Sequence, residues 1–418
     1  SPQGEDYLLT PDLNWFGSDT IQVIASDGVY SDTTSWPVQV TAVNDPPDSP
    51  TLIQPENGWE ADSVLILFQW TAPTDVDSDS LSDVLYLGHG TSTDTVDAEG
   101  NEAMINIYQF DLPFDEAIQW WVTVSDSEFT TSSDSFSFTI PEGLQYTGPT
   151  WHVATDGSDQ LGDGSVVMPF ATIQHGIDVS SDGDTVLVSA GTYYENIIWP
   201  ATNGIKLIGS GKDDCIIDGN QQASVIRFEE DLGGIIDTTT LITHFKIQNG
   251  MAQGSYPINS GGGVYFYDSS PSLVSITING NSSTGDMSYG GGIYCYESSP
   301  YLENVYISGN SASNEGGGIR CSSYSNPRLN DVTITDNSAY NGGGLDCSSS
   351  SPILIDVTIT ANSASNNGSG IYCSQSNSSL MDVIISDNTA SADGGGIYIY
   401  DSNPEFDNVV IDNNTAVD

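Results

Sequence analysis

Residues 290–310 read GGGIYCYESSPYLENVYISGN, and the landmarks of this stretch return along the C-terminal part of the chain. Cysteines stand at 295, 321, 347 and 373, a constant step of 26 residues. The glycine block ahead of them keeps the same step, at 290–292, 316–318, 342–344, 368–370 and 394–396, with Ser369 the one replacement. A period in the twenties, with β-branched runs and no helical spacing, predicts a β-solenoid in which each repeat is one coil. Function then has to be sought on the faces of a stacked rod.

Strand alternation sends Ile293 and Cys295 to one face of the coil and Tyr294 and Tyr296 to the other. The first pair recurs as Val264/Phe266, Ile319/Cys321, Leu345/Cys347, Ile371/Cys373 and Ile397/Ile399. Cysteine thus exchanges with phenylalanine and isoleucine in one column, which makes Cys295, Cys321, Cys347 and Cys373 core filling, expected as buried free thiols. An oxidised pair within the column is the alternative, since coils about 4.8 Å apart come within disulfide reach, although parallel side chains suit the bond's dihedral poorly. A second strand turns Leu302, Val305 and Ile307 inward and ends on an asparagine column: Asn281, Asn310, Asn337, Asn362, Asn388 and Asn414. Amides stacked at successive turns can hydrogen-bond along the rod, so that column is assigned a structural role.

Upstream of the repeats, Phe170, Ile173 and Ile177 lie at near-helical spacing. They predict a short amphipathic helix over 170–179 that closes the first coil, whose strand edge and apolar interior would otherwise be open. Residues 1–46 read as the back half of a β-sandwich, and 47–142, with alternation through Trp121, Val122, Thr123 and Val124, as a second one.

The chain of 418 residues carries 57 Asp and Glu against 6 Lys and Arg, a formal charge of -51. That excludes nucleic acid and anionic membrane surfaces as partners. With 10% aromatic and 37% apolar residues the composition is that of a folded, highly solvated protein, suited to cations, to a salty habitat or simply to solvation. No apolar run is long enough to span a membrane. Abundant Ser, Thr, Asn, Asp and Gly with few Lys is the composition of secreted bacterial surface proteins, so an extracellular or cell-surface location is expected. Ser1 opens in mid-domain and Asp418 ends in mid-repeat, the expectation for a piece of something longer.

Three resemblances bear on these readings. DLNWFGSDTIQVIASDGVYSD (12–32), followed by VNDPP (43–47), resembles the cadherin-like repeats of large bacterial adhesins. PDSPTLIQPENG (47–58) and AIQWWVTVSDSE (117–128) are similar to fibronectin type III modules. The stretch from Trp151 to Ile197 resembles the opening of right-handed parallel β-helix proteins of the pectin-lyase-like superfamily, and the pairing of GGGI with I-x-x-N over 261–418 resembles the repeats of polymorphic outer-membrane proteins, which are surface adhesins. The expected fold is therefore all-β: sandwich modules over 1–46 and 47–142, then a right-handed parallel β-helix over 143–418 with a short N-terminal capping helix.

Chemistry has few places to sit. The outward column beside the cysteines reads Tyr265, Tyr294, Arg320, Asp346, Tyr372 and Tyr398, and either a groove or a flat wall is compatible with it. It can serve as an aromatic platform for sugar rings, with Arg320 and Asp346 as polar contacts, or as an ordinary sheet face with a surface ion pair worth about 0–1 kcal/mol. The pectin-lyase-like resemblance implies a basic residue for proton abstraction, and only Lys206, Lys212, Arg227, Lys246, Arg320 and Arg328 are available. A hydrolase needs carboxylates about 5–9.5 Å apart. On this column only Asp346 qualifies, while His89, His152, His175 and His244 form no spaced pair. Asp75, Asp77 and Asp79 alternate in one loop and, with Asn44 and Asp45, are candidate calcium ligands; an acidic solvated turn is the alternative. Adhesion or assembly through the β-helix face is the leading expectation, with a glycan or a surface protein as partner. A polysaccharide lyase or glycoside hydrolase and a self-associating filament subunit are the competing ones.

Overall fold

The computed structural model describes residues 8–417 apart from 78, 79, 99, 108, 109, 111, 145, 230 and 231. The chain divides into two compact units, Ser1–Gln145 and Tyr146–Asp418.

In the first unit, Gly17–Ser26 pairs antiparallel with Ser31–Val40 as an isolated hairpin. The half-sandwich expected over 1–46 is this hairpin alone: neither strand has a buried position, because no second sheet covers it among the described residues. The rest of the unit is a sandwich. A six-stranded sheet built around Ala117–Ser125 and Ser82–His89 faces a three-stranded one formed by Leu52–Gln54, Leu65–Trp70 and Glu102–Asn106. The alternation through Ala117–Ser125 explains the packing: Ile118, Trp120, Val122 and Val124 are all buried, and Phe68 of the other sheet meets Trp120 edge-on at 5.0 Å. Trp70 donates its indole N–H to Asp83 at 2.7 Å, so this buried tryptophan has its partner.

The second unit is a parallel β-solenoid with three walls. Wall A holds the glycine–cysteine segments, including Val264–Tyr267, Ile293–Tyr296, Ile319–Ser322, Leu345–Ser348, Ile371–Ser374 and Ile397–Tyr400. Wall B is a fifteen-stranded sheet whose longest strands are Ser272–Asn279, Tyr301–Ser308, Arg328–Thr335 and Ile353–Thr360. Wall C consists of seven two-residue strands, such as Ser311–Ala312. The long strands of wall B bend at one left-handed residue each: Ser275, Asn304, Asp331 and Asp356, with φ of 55, 52, 54 and 53°. Asn and Asp adopt that region most readily after Gly, which is why polar residues mark these corners.

The coils stack in register, pairing Cys295 with Cys321, Cys321 with Cys347 and Cys347 with Cys373. All four thiols are buried and free, and so is Cys215. Burial and thiol–thiol contact hold Cys347 and Cys373 well above the ordinary thiol range, so the column is inert filling of the core. The asparagine column forms as read. Asn337 Oδ1 accepts the backbone N–H of Asn310 at 2.9 Å and its amide at 3.0 Å, while Asn337 donates to Ile307 O at 3.0 Å. The same pattern joins Asn281, Asn310, Asn337, Asn362, Asn388 and Asn414.

The glycine block is required by close approach. Gly316 has φ 70°, and a Cβ on Gly317 would lie 2.4 Å from the carbonyl oxygen of Gly343 in the next coil. The N-terminal end is closed by the helix Ile173–Asp178, with Ile173 and Ile177 fully buried. Glu195 accepts the free N–H groups of Ile173 and Gln174 at 2.8 and 2.9 Å, satisfying the first turn. No helix is long and apolar enough to cross a membrane among the described residues.

Candidate functional site

Register brings one outward column of wall A together: Arg227, Tyr265, Tyr294, Arg320, Asp346, Tyr372 and Tyr398 occupy successive coils. The expectation of a surface ion pair on this column is corrected here. Tyr265 and Asp346 are fully buried, and Tyr294 and Arg320 retain only 2% and 8% exposure. The cover comes from Tyr256, Tyr289 and Glu315, which stand ahead of the glycine blocks at 261, 290 and 316. Tyr289 lies 5.7 Å from the Tyr294 ring and 5.3 Å below the Arg320 guanidinium. Tyr256 approaches the Tyr294 hydroxyl at 3.4 Å. Only Tyr372 and Tyr398 stay half-exposed, stacked at 5.0 Å.

Under this cover the expected surface ion pair is a buried network. Arg320 Nη2 reaches Glu315 Oε2 at 2.8 Å, and Nη1 contacts both Asp346 Oδ1 and, at 2.8 Å, Ser348 Oγ. Ser348 also donates to Asp346 Oδ1 at 3.1 Å. Asp346 Oδ2 and Arg320 Nε are buried with no partner. Burial pushes the Asp346 carboxyl up to about 7, against the opposing charge of Arg320, and Glu315 adds to the rise. Burial likewise raises Tyr294 and Tyr372.

A second buried guanidinium was not legible as part of this wall. Arg227 donates to Glu229 at 2.6 Å, to Ser224 Oγ at 3.1 Å and to Ser260 O at 3.2 Å, and lies 4.1 Å over the Tyr265 ring. The wall therefore has two closed cationic centres separated by tyrosines.

Of the calcium candidates, Asp79 lies outside the described residues. Asp77 Oδ2 accepts the backbone N–H of Asp45 at 2.8 Å, Asp75 Oδ1 accepts that of Asp77 at 2.7 Å, and Asn44 donates to Asp126 at 2.9 Å. The loop is thus held by carboxylates acting as hydrogen-bond acceptors. Asp75 Oδ2 is buried without a partner, yet among the described residues no three His, Cys, Asp or Glu side chains converge as a metal-holding group.

A solenoid of in-register coils, a helical cap and an inner asparagine ladder define a class, and the family comparison agrees with it. The chain belongs to the family described as right-handed β-helix region, which matches residues 175–418. Among solved structures it is similar to the pectin methylesterase PemA from Erwinia chrysanthemi, at 12% identity over 60% of this chain and 80% of that one, with a TM-score of 0.36. It is also similar to a rhamnogalacturonan lyase, at 12% identity over 63% of this chain and 87% of that one, with a TM-score of 0.19. No curated protein matches the sequence.

Proposed function

We propose that the chain is an extracellular surface protein that adheres or assembles through its β-helix, with the N-terminal sandwich-like region as a cadherin-like and fibronectin type III-like spacer. One observation carries this reading: Arg320 and Asp346, the charged pair of wall A, are committed to a buried network beneath Tyr289 and Glu315. An enzyme needs groups that act in the transition state, whereas a binding face needs only contacts present in the ground state. The stacked, half-exposed Tyr372 and Tyr398 offer such contacts to a sugar ring or a protein partner. The enzyme reading draws on the raised pKa of Asp346 beside a guanidinium, which leaves a carboxyl able to hold and release a proton near neutrality. The filament reading predicts self-association that grows with protein concentration.

The test is retention on an immobilised glycan panel. Wild type is expected to be retained by at least one glycan, and the Tyr372→Ala/Tyr398→Ala double variant to bind it roughly tenfold more weakly, the scale of a lost aromatic contact. Equal retention of the two proteins removes this face from the account.

Calcium at the junction of Asn44 and Asp45 with Asp75 and Asp77 is a further proposal, resting on the unpartnered Asp75 oxygen. Saturating calcium is expected to raise the unfolding temperature of the sandwich and leave that of the β-helix unchanged. Identical calorimetric traces in calcium and in chelator would remove it.

A further inference from the structure

Six Lys and Arg stand against 57 Asp and Glu, and among the described residues Lys206, Lys212, Lys246 and Arg328 make no ion pair. Arg227 and Arg320 are buried in ion pairs. Of the four unpaired cations, Lys212 and Lys246 line one groove of about 530 Å³ on the outer side of wall B.

Register explains the groove. Lys246 pairs with Thr277, Thr277 with Tyr306 and Tyr306 with Thr333, so these side chains rise along one column, one coil apart. Their neighbours Ile247 and Ile278 face inward and are fully buried, which fixes Lys246 and Thr277 on the outside. Lys212 stands in the turn ahead of Cys215–Asp218, the strand whose Ile216 pairs with Lys246. Tyr306 is 41% exposed and gives the groove one aromatic surface. The acidic members of the lining, Asp213 and Asp331, are both exposed.

Two ammonium groups, hydroxyls and one aromatic ring suit an anion attached to an amphipathic ring. The overall charge of -51 argues against a polyanion, whose many charges the protein repels. At physiological salt that repulsion is screened beyond about 8 Å, so a single anion is governed by the charges of the groove itself, Lys212 and Lys246 together with the solvent-exposed Asp213 and Asp331. We propose that this groove is a binding subsite for a sugar carrying one oxyanion, either a carboxylate or a sulfate ester, with the charge between Lys212 and Lys246 and the ring against Tyr306. It lies on a different wall from the Tyr372–Tyr398 face and does not depend on that reading.

The test titrates the full chain, at physiological salt, with methyl glucuronide, glucose 6-sulfate and neutral methyl glucoside. At least one charged sugar is expected to bind roughly tenfold or more tightly than the neutral one, and whichever is tighter identifies the anion. Lys212→Ala and Lys246→Ala are each expected to weaken it roughly tenfold, the effect of losing a charge-assisted hydrogen bond. Lys206→Ala, at an exposed position of the same sheet, is expected to bind as wild type. None of these three side chains fills the core, and circular dichroism checks that each variant is folded. Absence of saturable binding by both charged sugars overturns the proposal. So does equal binding of the neutral sugar, or wild-type affinity in a folded Lys212→Ala/Lys246→Ala double variant.

Discussion

Asn337→Ala is expected to destabilise the β-helix by about 3–6 kcal/mol. The side chain makes three hydrogen bonds with the preceding coil: it accepts from the backbone and the amide of Asn310 and donates to Ile307 O. Alanine returns none of them, and Asn337 is 1% exposed, so water does not replace them. Each buried polar group left unpaired costs about 1–3 kcal/mol, and the three losses fall at one turn. Because each coil contacts only its neighbours, the loss should split the unfolding transition at this coil rather than lower the whole rod uniformly. Asn304 provides the comparison, since it is exposed and donates only to Ser275 Oγ. Asn304→Ala is expected to cost about 1–2 kcal/mol, mostly for placing a Cβ in left-handed backbone. Urea denaturation followed by circular dichroism measures both, and a cost for Asn337→Ala no larger than that for Asn304→Ala contradicts the ladder's role.

Arg320→Ala is expected to cost about 3–5 kcal/mol near neutral pH, the usual penalty for removing one partner of a buried ion pair. It strands Asp346, which is fully buried, beside Glu315. Asp346→Asn should cost clearly less, because Arg320 keeps Glu315 as its counter-charge. The two variants also differ in pH dependence. The folded-state pKa of Asp346, about 7, stands above the ordinary 3.8, so the folded protein binds this proton more tightly than the unfolded chain. Stability from this group is therefore full below the unfolded value and declines as pH rises towards about 7. The stability difference between wild type and Asp346→Asn should accordingly shift in favour of wild type on acidification through that window. In Arg320→Ala, where no guanidinium holds the proton off, the recovery in acid should be larger. A pH-independent difference between wild type and Asp346→Asn contradicts this assignment.

What the sequence made legible was what one coil repeats. The cysteines and the glycine block, at a 26-residue step, and the asparagine column, at steps of 25 to 29, each occupy a position whose environment is the same in every coil, so the repeat alone gives their neighbours. The capping helix was legible because Ile173 and Ile177 stand at helical spacing, although it spans only Ile173–Asp178 and not 170–179: Phe170 lies ahead of it, bridged to Val153. The closure of wall A was not. Alternation states that Tyr294 and Arg320 point away from the core, but not that another segment lies over them. The signal was nevertheless in the repeat: Tyr289, Glu315 and Asn341 also follow the 26-residue step and are bridged coil to coil. That register places an acid five positions before Arg320 in the chain and above it in space. Arg227 escaped because the irregular early coils lack the period, and only the pairing of Arg227 with Tyr265 puts it in the column. In the N-terminal unit, alternation identified the buried row of Ala117–Ser125, but nothing local could state that the hairpin of residues 17–40 would have no covering sheet among the described residues.

From Tyr265 to Asp346 wall A is a closed column, and the function proposed for the protein is binding without turnover. Incubation of wild type with pectate and alginate chains, from acid to alkaline pH and with calcium present or absent, tests it most directly. The account predicts no release of reducing ends and no rise in unsaturated-uronate absorbance above the blank. Product formation by wild type that disappears in a folded Asp346→Asn variant would contradict the account and make the Arg320–Asp346 pair a catalytic one.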